Sequence, residues 1–122
     1  MAKTVLIVED DELNLKFFDA LLRSEGYDTR TARTGDDALA AARAERPDLI
    51  LMDVELSEGS GLDLAGRMKQ DGALGAVPVV AVTAHAMAGT EQRIRRSGCA
   101  GYIAKPVSMQ GFLDAVRKFA HS

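Results

Sequence analysis

Short, uninterrupted apolar runs, separated by longer amphipathic stretches, constrain the fold of this chain more than any other feature. The clearest runs occupy residues 5–8, 49–52 and 77–82. All three are apolar along their length, and residues 5–8 are also mostly β-branched, as expected of strands that are buried on both faces. Residues 27–32 alternate weakly and predict an edge strand, and residues 102–104 predict a short fifth strand.

The stretches between the runs have helical spacing or helical propensity. The predicted helices cover residues 13–25, 36–45, 62–70 and 89–97, with a last helix that starts at Ser108. Asp11 is the expected N-cap of the first helix and Gly26 its expected stop. The expected apolar face of that helix consists of Leu13, Phe17, Phe18, Leu21 and Leu22. Residues 57–61 are predicted to form a loop.

Five successive strand-then-helix units predict an α/β fold with a parallel sheet covered by helices on both faces. We expect a flavodoxin-like (βα)5 doubly wound sheet with strand order 2-1-3-4-5, in one domain that spans residues 1–122. In such a sheet, ligands bind beyond the carboxyl ends of the strands. The residues directly after each strand are therefore the informative ones.

Composition excludes several functional classes. The net charge is −3 and the pI is about 5.3, which argues against binding nucleic acid or an anionic membrane surface. A single cysteine, Cys99, permits no internal disulfide and no Cys-x-x-Cys zinc pair. No apolar run approaches the roughly 18 residues that a membrane span requires, and no signal-peptide pattern is present. The expected location is the cytoplasm.

Chemically complementary side chains follow four of the predicted strands. They are Glu9 and Asp10 after the first strand, Asp53 after the third, Thr83 after the fourth, and Lys105 with Pro106 after the fifth. Each residue type alone is common at strand ends as a turn or capping residue. Their combination at one edge of a sheet predicts a functional site.

The chemistry of this set suits phosphoryl transfer. Three converging carboxylates cannot all ionise cheaply, and a divalent cation with oxygen ligands, Mg²⁺ (or Mn²⁺), would relieve their repulsion. A carboxylate can attack phosphorus to form an acyl phosphate. Lys105 and the metal would stabilise charge on the phosphoryl oxygens, and the Thr83 hydroxyl could donate a hydrogen bond to one of them.

At these residues the chain resembles the receiver domain of two-component response regulators. The matching segments are Val-Leu-Ile-Val-Glu-Asp at 5–10, Leu-Ile-Leu-Met-Asp at 49–53 with Gly61 eight residues later, Val-Thr-Ala at 82–84 and Ala-Lys-Pro at 104–106. The resemblance implies that Asp53 is the phospho-acceptor and that Glu9 and Asp10 bind Mg²⁺ together with the backbone carbonyl of Glu55. It also implies a switch pair, Thr83 and Tyr102, and a cis peptide between Lys105 and Pro106.

The resemblance further implies a signalling protein and not an enzyme in the usual sense, since it would catalyse only its own phosphotransfer and dephosphorylation. Its partners would be sensor histidine kinases or phosphotransfer proteins, and it would be a monomer or weak dimer. Segments 8–14, 47–53 and 77–84 are similar to those of stand-alone regulators of cell division. We therefore expect no output domain. Ser57 stands where the family usually has proline, which leaves the conformation of that loop open.

Phosphorylation is expected to reshape the face formed by the fourth helix, fifth strand and fifth helix. The candidate partner-contacting residues on this face are Met87, Ile94, Arg95, Tyr102, Val107 and Phe112.

Two other functions remain open on sequence grounds. A haloacid-dehalogenase-like phosphatase also uses an aspartate nucleophile, Mg²⁺, a hydroxyl residue and a lysine, but it places its nucleophile after the first strand. A flavodoxin-like binding module without phosphotransfer is compatible with the fold. The acidic segment 9–12 would repel the phosphate of a flavin or nucleotide, however.

Overall fold

The computed structural model describes residues 3–56, 59–83, 90–104 and 108–121. Its main sheet has five parallel strands. These strands are β1 (Thr4–Val8), β2 (Asp28–Ala32), β3 (Leu49–Asp53), β6 (Val79–Thr83) and β7 (Gly101–Ala104). Two further strands, β4 (Glu55–Leu56) and β5 (Gly59–Ser60), form a small antiparallel pair. The helices are α1 (Glu12–Ser24), α2 (Gly35–Ala44), α3 (Gly61–Gln70), α4 (Thr90–Arg96) and α5 (Met109–Ala120).

The strand order of the main sheet is β2-β1-β3-β6-β7. Because β6 and β7 are the predicted fourth and fifth strands, this confirms the predicted order 2-1-3-4-5. The weakly alternating segment is the edge strand β2, and its outward residues are exposed. The continuous apolar runs lie inside the sheet, where β1, β3 and β6 are buried almost throughout.

Two hydrophobic clusters cover the two faces of the sheet, as expected for a doubly wound fold. One cluster packs α2, α3 and α4 against the face that carries Val8, Met52 and Ala81. The other packs α1 and α5 against the face that carries Ile7 and Leu51. The five strands of the main sheet run parallel, so their carboxyl ends meet at one edge.

Local signals mark the helix ends as the sequence predicts. The Asp11 carboxylate accepts hydrogen bonds from the backbone N–H groups of Leu13 and Asn14 at 2.9 and 3.2 Å, which caps the start of α1. Gly26 follows the end of α1 with φ +88°, in the left-handed region that favours glycine. Ser108 caps α5 through a hydrogen bond from the Gly111 N–H at 3.0 Å.

The expected apolar face of α1 is wrong at two positions. Leu13 is 79% exposed and Phe17 is 41% exposed, whereas Leu15 and Phe18 are buried. Successive helical residues are rotated by about 100°, so Leu13 lies about 160° around the helix from Leu15. The stripe that faces the sheet therefore passes through Leu15 and Phe18 and leaves Leu13 in solvent.

The segment after β3 also differs from the prediction. Glu55 pairs with Ser60 and Leu56 with Gly59, so part of the predicted loop forms a two-stranded hairpin. Its tip, residues 57–58, lies outside the described residues. None of the helices in the described part of the chain combines the length and apolar character that crossing a membrane requires.

Candidate functional site

The carboxylates predicted to converge do so at the carboxyl edge of the sheet. Val8 and Met52 are register partners, so Glu9, just past the end of β1, lies abreast of Asp53, the last residue of β3. Each of Glu9, Asp10 and Asp53 offers a carboxylate oxygen, and these oxygens all lie within 4.8 Å of one another.

Backbone hydrogen bonds hold this edge in position. The Glu9 N–H donates to the Ala32 carbonyl at 3.0 Å, which continues the β1–β2 pairing one residue past β1. The Val54 N–H donates to the Val82 carbonyl at 3.0 Å, which does the same for β3 and β6. The site is therefore anchored by the sheet and not by loop conformation alone.

The environment strengthens the electrostatics of these groups. Glu9 is 1% exposed and Asp53 is 7% exposed, while Asp10 is half-buried. The walls beneath them include Phe18, Leu51 and Val82. Since charges interact more strongly where water is excluded, the clustered carboxylates favour binding of a cation at this edge.

The donor set fits a magnesium ion. Mg²⁺ takes oxygen ligands at about 2.1 Å, so two ligands of one ion lie between about 3.0 and 4.2 Å apart. Carboxylate oxygens within 4.8 Å of one another need only small side-chain shifts to reach that range. Glu55 begins β4 two residues after Asp53. The role of its backbone carbonyl as a further ligand stays a prediction.

The two predicted switch residues share a face of the sheet. Thr83 ends β6 and is 1% exposed, and Tyr102 on β7 is half-buried. Tyr102 is the register partner of Ala81, which lies on the same side of β6 as Thr83 because side chains alternate along a strand. Tyr102 also packs against the cluster on that face. Their roles in switching stay predictions.

Several predicted residues lie outside the described residues. They are Lys105, Pro106, Met87, Val107 and Ser57. The predicted lysine of the site, its cis peptide and two members of the partner face therefore stay predictions.

Two members of the predicted partner face are corrected by the structure. Ile94 and Phe112 are both 0% exposed. Ile94 lies on the side of α4 that faces the sheet, and it packs in the cluster shared with α2 and α3. Phe112 stacks on Phe18 with ring centroids 4.9 Å apart, which joins α5 to α1. Neither side chain reaches a partner, whereas Arg95 is exposed and Tyr102 is half-buried.

Sequence reasoning assigned Leu13 and Phe17 to the core and so missed an apolar surface beside the site. The two residues are one helical turn apart on α1, which begins just after Glu9 and Asp10. The signal in the sequence was their angular offset from the Leu15 and Phe18 stripe. That offset makes them an exposed apolar pair next to the carboxylates.

Comparison with known proteins identifies the class to which this fold and site belong. The sequence matches the response regulator receiver domain over residues 5–117, and the chain belongs to that family. Within the family it is similar to DivK. It is 50% identical over 119 residues to the polar-differentiation response regulator DivK of Brucella anthropi and 49% identical to that of Brucella ovis. In both cases the match covers 98% of this chain and 97% of the relative.

Solved structures agree with the fold. The receiver domain of a sensor histidine kinase from Pseudomonas aeruginosa PAO1, which has a magnesium ion coordinated in its active site cleft, superposes with a TM-score of 0.91. It is 29% identical, and the match covers 100% of both chains. The chemotaxis response regulator CheY4 of Vibrio cholerae shares the fold with a TM-score of 0.92 at 24% identity, over 98% of this chain and 99% of that one.

The family assignment decides between the functions that the sequence left open. The receiver family is a family of signalling proteins, so neither the phosphatase alternative nor the flavodoxin-like binding module is supported. The order of the site residues agrees with this, because the acidic pair follows the first strand and Asp53 ends the third.

Proposed function

We propose that this chain is a phosphorylated switch of a two-component pathway, with Asp53 as its phospho-acceptor. The observation that carries the proposal is the convergence of Glu9, Asp10 and Asp53 at the switch point between β1 and β3. The similarity to DivK supports a role in cell-cycle and polar-differentiation control in the cytoplasm.

In the proposed reaction, a carboxylate oxygen of Asp53 attacks the phosphorus of a phosphohistidine on a partner protein. The new O–P bond forms as the P–N bond breaks, and the bonding electron pair leaves with the imidazole nitrogen, which takes up a proton from solvent. The product is an acyl phosphate on Asp53. Water later attacks the same phosphorus, which releases inorganic phosphate and restores the carboxylate.

The other residues of the site position this reaction. Glu9 and Asp10 would hold Mg²⁺ with Asp53 and the Glu55 carbonyl. When bound, the ion supplies positive charge to the phosphoryl oxygens and to the crowded carboxylates. Lys105, whose side chain follows β7 in the sequence, would pair with a further phosphoryl oxygen.

The partner must bring its phosphohistidine to a recessed carboxylate. Asp53 is 7% exposed, so a protein donor must dock closely to bring its phosphohistidine to it. Leu13 and Phe17 offer an exposed apolar contact on the helix beside the site. We propose that this pair contacts the phosphorylated helix of a histidine kinase or phosphotransfer protein. Arg93 and Arg96 are exposed on α4, which packs on the opposite face of the sheet from α1.

The output of the switch would pass through Thr83 and Tyr102. A phosphoryl group on Asp53 adds roughly −1.5 to −2 charge and new acceptor oxygens. The Thr83 hydroxyl would donate a hydrogen bond to one of these oxygens. Its movement would leave space on the face that it shares with Tyr102, and rotation of the Tyr102 ring would change the surface near exposed Arg95.

The test is intact mass spectrometry after incubation with acetyl phosphate and Mg²⁺. We expect the wild-type chain to gain one phosphoryl group, and we expect Asp53→Asn to gain none because its amide cannot form the acyl phosphate. Addition of EDTA should abolish the gain, since the carboxylates alone repel the phosphoryl donor.

A matched control is Asp36→Asn, which changes an exposed carboxylate on α2, outside the site, in the same way. It should be phosphorylated like the wild type. Phosphorylation of Asp53→Asn to the wild-type extent would sink the assignment of the acceptor. Undiminished phosphorylation in EDTA would sink the metal requirement.

A further inference from the structure

A groove of about 550 Å³ lies at the edge of the molecule opposite the carboxylate site. Three parts of the chain line it: Lys3 just before β1, residues 25–27 between α1 and β2, and one face of α5. We call it the basal groove. The parallel strands are about 15 Å long, so the groove is separated from Asp53 by the full height of the sheet.

The wall contributed by α5 is a regular stripe. Leu113, Arg117 and His121 are spaced four residues apart, so they share one face of the helix. Across the groove, the Tyr27 hydroxyl lies 3.2 Å from Nε2 of His121, and the two ring centroids are 5.9 Å apart. This contact ties the α1–β2 turn to the end of α5 and gives the groove an aromatic wall.

The groove is locally cationic on an acidic protein. Lys3 and Arg117 carry positive charge and Glu25 is its one acidic lining residue among those described, whereas the whole chain has a net charge of −3. Asp114 forms an exposed ion pair with Arg117 at 3.7 Å, which is beyond hydrogen-bond distance, and its carboxylate accepts a hydrogen bond from Gln110 at 2.7 Å. The guanidinium of Arg117 therefore keeps hydrogen-bond donors for an anion in the groove.

Helix capping does not account for this arrangement. Cations are favoured at helix carboxyl ends, which explains a basic residue in the last turn of α5. The corresponding residue of α1, Arg23, donates to Asp19 and Thr29 instead. Lys3 lies outside every described helix, so its charge at the groove has no capping role. Tyr27 also lies outside the helices, and its ring is not needed to cap α1.

We propose that the basal groove binds a small organic anion that carries one planar aromatic ring beside its carboxylate or phosphate. The volume is within the range of roughly 300–1,000 Å³ that is typical of small-molecule sites. Lys3 and Arg117 would pair with the anionic group, and the ring would lie against Tyr27 and Leu113. Open space beside Gly26 admits the ligand, since a Cβ built there meets no atom within 4 Å.

The test is an NMR titration of the ¹⁵N-labelled chain in Mg²⁺-free buffer. 3-Phenylpropionate probes a carboxylate source and phenyl phosphate a phosphate source, with acetate and inorganic phosphate as ligands without a ring. We expect saturable shifts of the amides of residues 3, 25–27 and 113–121, with a Kd on the order of 1 mM for a ligand of this size. The ligands without a ring should bind at least about ten-fold more weakly, because they lose the contact with Tyr27.

Charge-removing variants make the test specific. Lys3→Gln with Arg117→Gln should raise the Kd about ten-fold or more, since hydrogen bonds to charged groups are lost. Arg96→Gln, an exposed arginine on α4, is the matched control and should bind like the wild type. Arg117 is exposed and Lys3 is half-buried, so the amide spectrum of the double variant is compared with that of the wild type to check that the fold is intact.

Four results would overturn the proposal. Three of them are no saturable shifts at the groove up to 10 mM ligand, shifts that map to another surface, and an unchanged Kd in the double variant. Line broadening that depends on protein concentration alone would assign the groove to self-association and would also overturn it. None of these results bears on Asp53, because phosphorylation is read out separately at the other edge of the sheet.

Discussion

Individual side chains in this protein have roles that depend on which carboxyl, hydroxyl or thiol groups lie around them. Glu9, Asp10 and Asp53 are ordinary acidic residues in the sequence, and only their shared edge makes them a site. Asp11, the next acidic residue, is exposed and caps α1. One residue of separation therefore divides a predicted metal-binding role from a capping role.

Cys99 is expected to be chemically inert in the folded protein. It is 7% exposed, and burial raises the pKa of its thiol above the ordinary value. A raised pKa means that the folded state keeps the proton, so the thiol's contribution to stability is present below a pH of about 8.5 and is lost as the pH rises through the folded value. Reaction with Ellman's reagent at pH 8 should be much slower in buffer than in urea.

The chain has a single cysteine, so every signal in that assay comes from Cys99. Equal reaction rates in buffer and in urea would contradict the burial of the thiol. A stability that does not fall between pH 8 and 10 in the wild type, relative to Cys99→Ala, would contradict the direction of the pKa shift.

Among the elements, α1 depends on its cap. Removal of the Asp11 carboxylate in Asp11→Ala leaves the N–H groups of Leu13 and Asn14 without that acceptor. We expect the free energy of unfolding to fall by about 1 kcal/mol. Urea denaturation in EDTA measures this change without a contribution from bound metal.

Asp11→Ser is the control for this prediction, because serine keeps a side-chain oxygen at the capping position. It should retain stability to within a few tenths of a kcal/mol. A loss as large as that of Asp11→Ala would mean that the carboxylate acts through its charge and not as a cap.

The packing of α1 against α5 separates core from surface on the same helix. Phe112 is fully buried and stacks on Phe18, so Phe112→Ala should lower the free energy of unfolding by about 3–5 kcal/mol. Leu13 is 79% exposed, so Leu13→Ala should change stability by no more than about 0.5 kcal/mol. Urea denaturation of both variants checks the contrast.

Leu13→Ala also separates an effect on stability from an effect on function. Under the proposed function, Leu13→Ala should slow phosphotransfer from a partner histidine kinase while leaving phosphorylation by acetyl phosphate unchanged. A large loss of stability in Leu13→Ala would instead mean that the Leu13 side chain packs in the core.

For the molecule as a whole, phosphorylation is expected to be transmitted from the site across β6 and β7. Acetyl phosphate with Mg²⁺ should shift the amide resonances of Thr83 and Tyr102, which lie one and two strands away from β3. Thr83→Ala should still be phosphorylated, but its Tyr102 resonance should move less. NMR spectra with and without the phosphodonor measure both effects.

Thr31→Ala on the edge strand β2 is the control, because Thr31 is exposed and lies on the far side of β1. It should respond like the wild type. Identical spectra around Thr83 and Tyr102 before and after phosphorylation would exclude the proposed route through these residues.

The sequence alone determines the sheet and the candidate site. Continuous apolar runs such as residues 49–52 are stable only when both faces are covered, so alternation with helices predicts a parallel doubly wound sheet. Parallel strands bring their carboxyl ends to one edge, which places Glu9 beside Asp53 without knowledge of any side-chain contact. Local signals also mark the helix ends. The side-chain oxygen of Asp11 and the backbone freedom of Gly26 act within one turn of α1, so they can be read from the sequence.

Other features depend on long-range packing that no local pattern contains. The rotation of α1 about its axis leaves Leu13 in solvent. The packing of α4 and α5 against the sheet buries Ile94 and Phe112. The basal groove joins residues as far apart in the chain as Lys3 and His121. Periodicity marks which side chains share a helix face, but the direction of that face and the space between distant elements arise only when helices pack against the sheet.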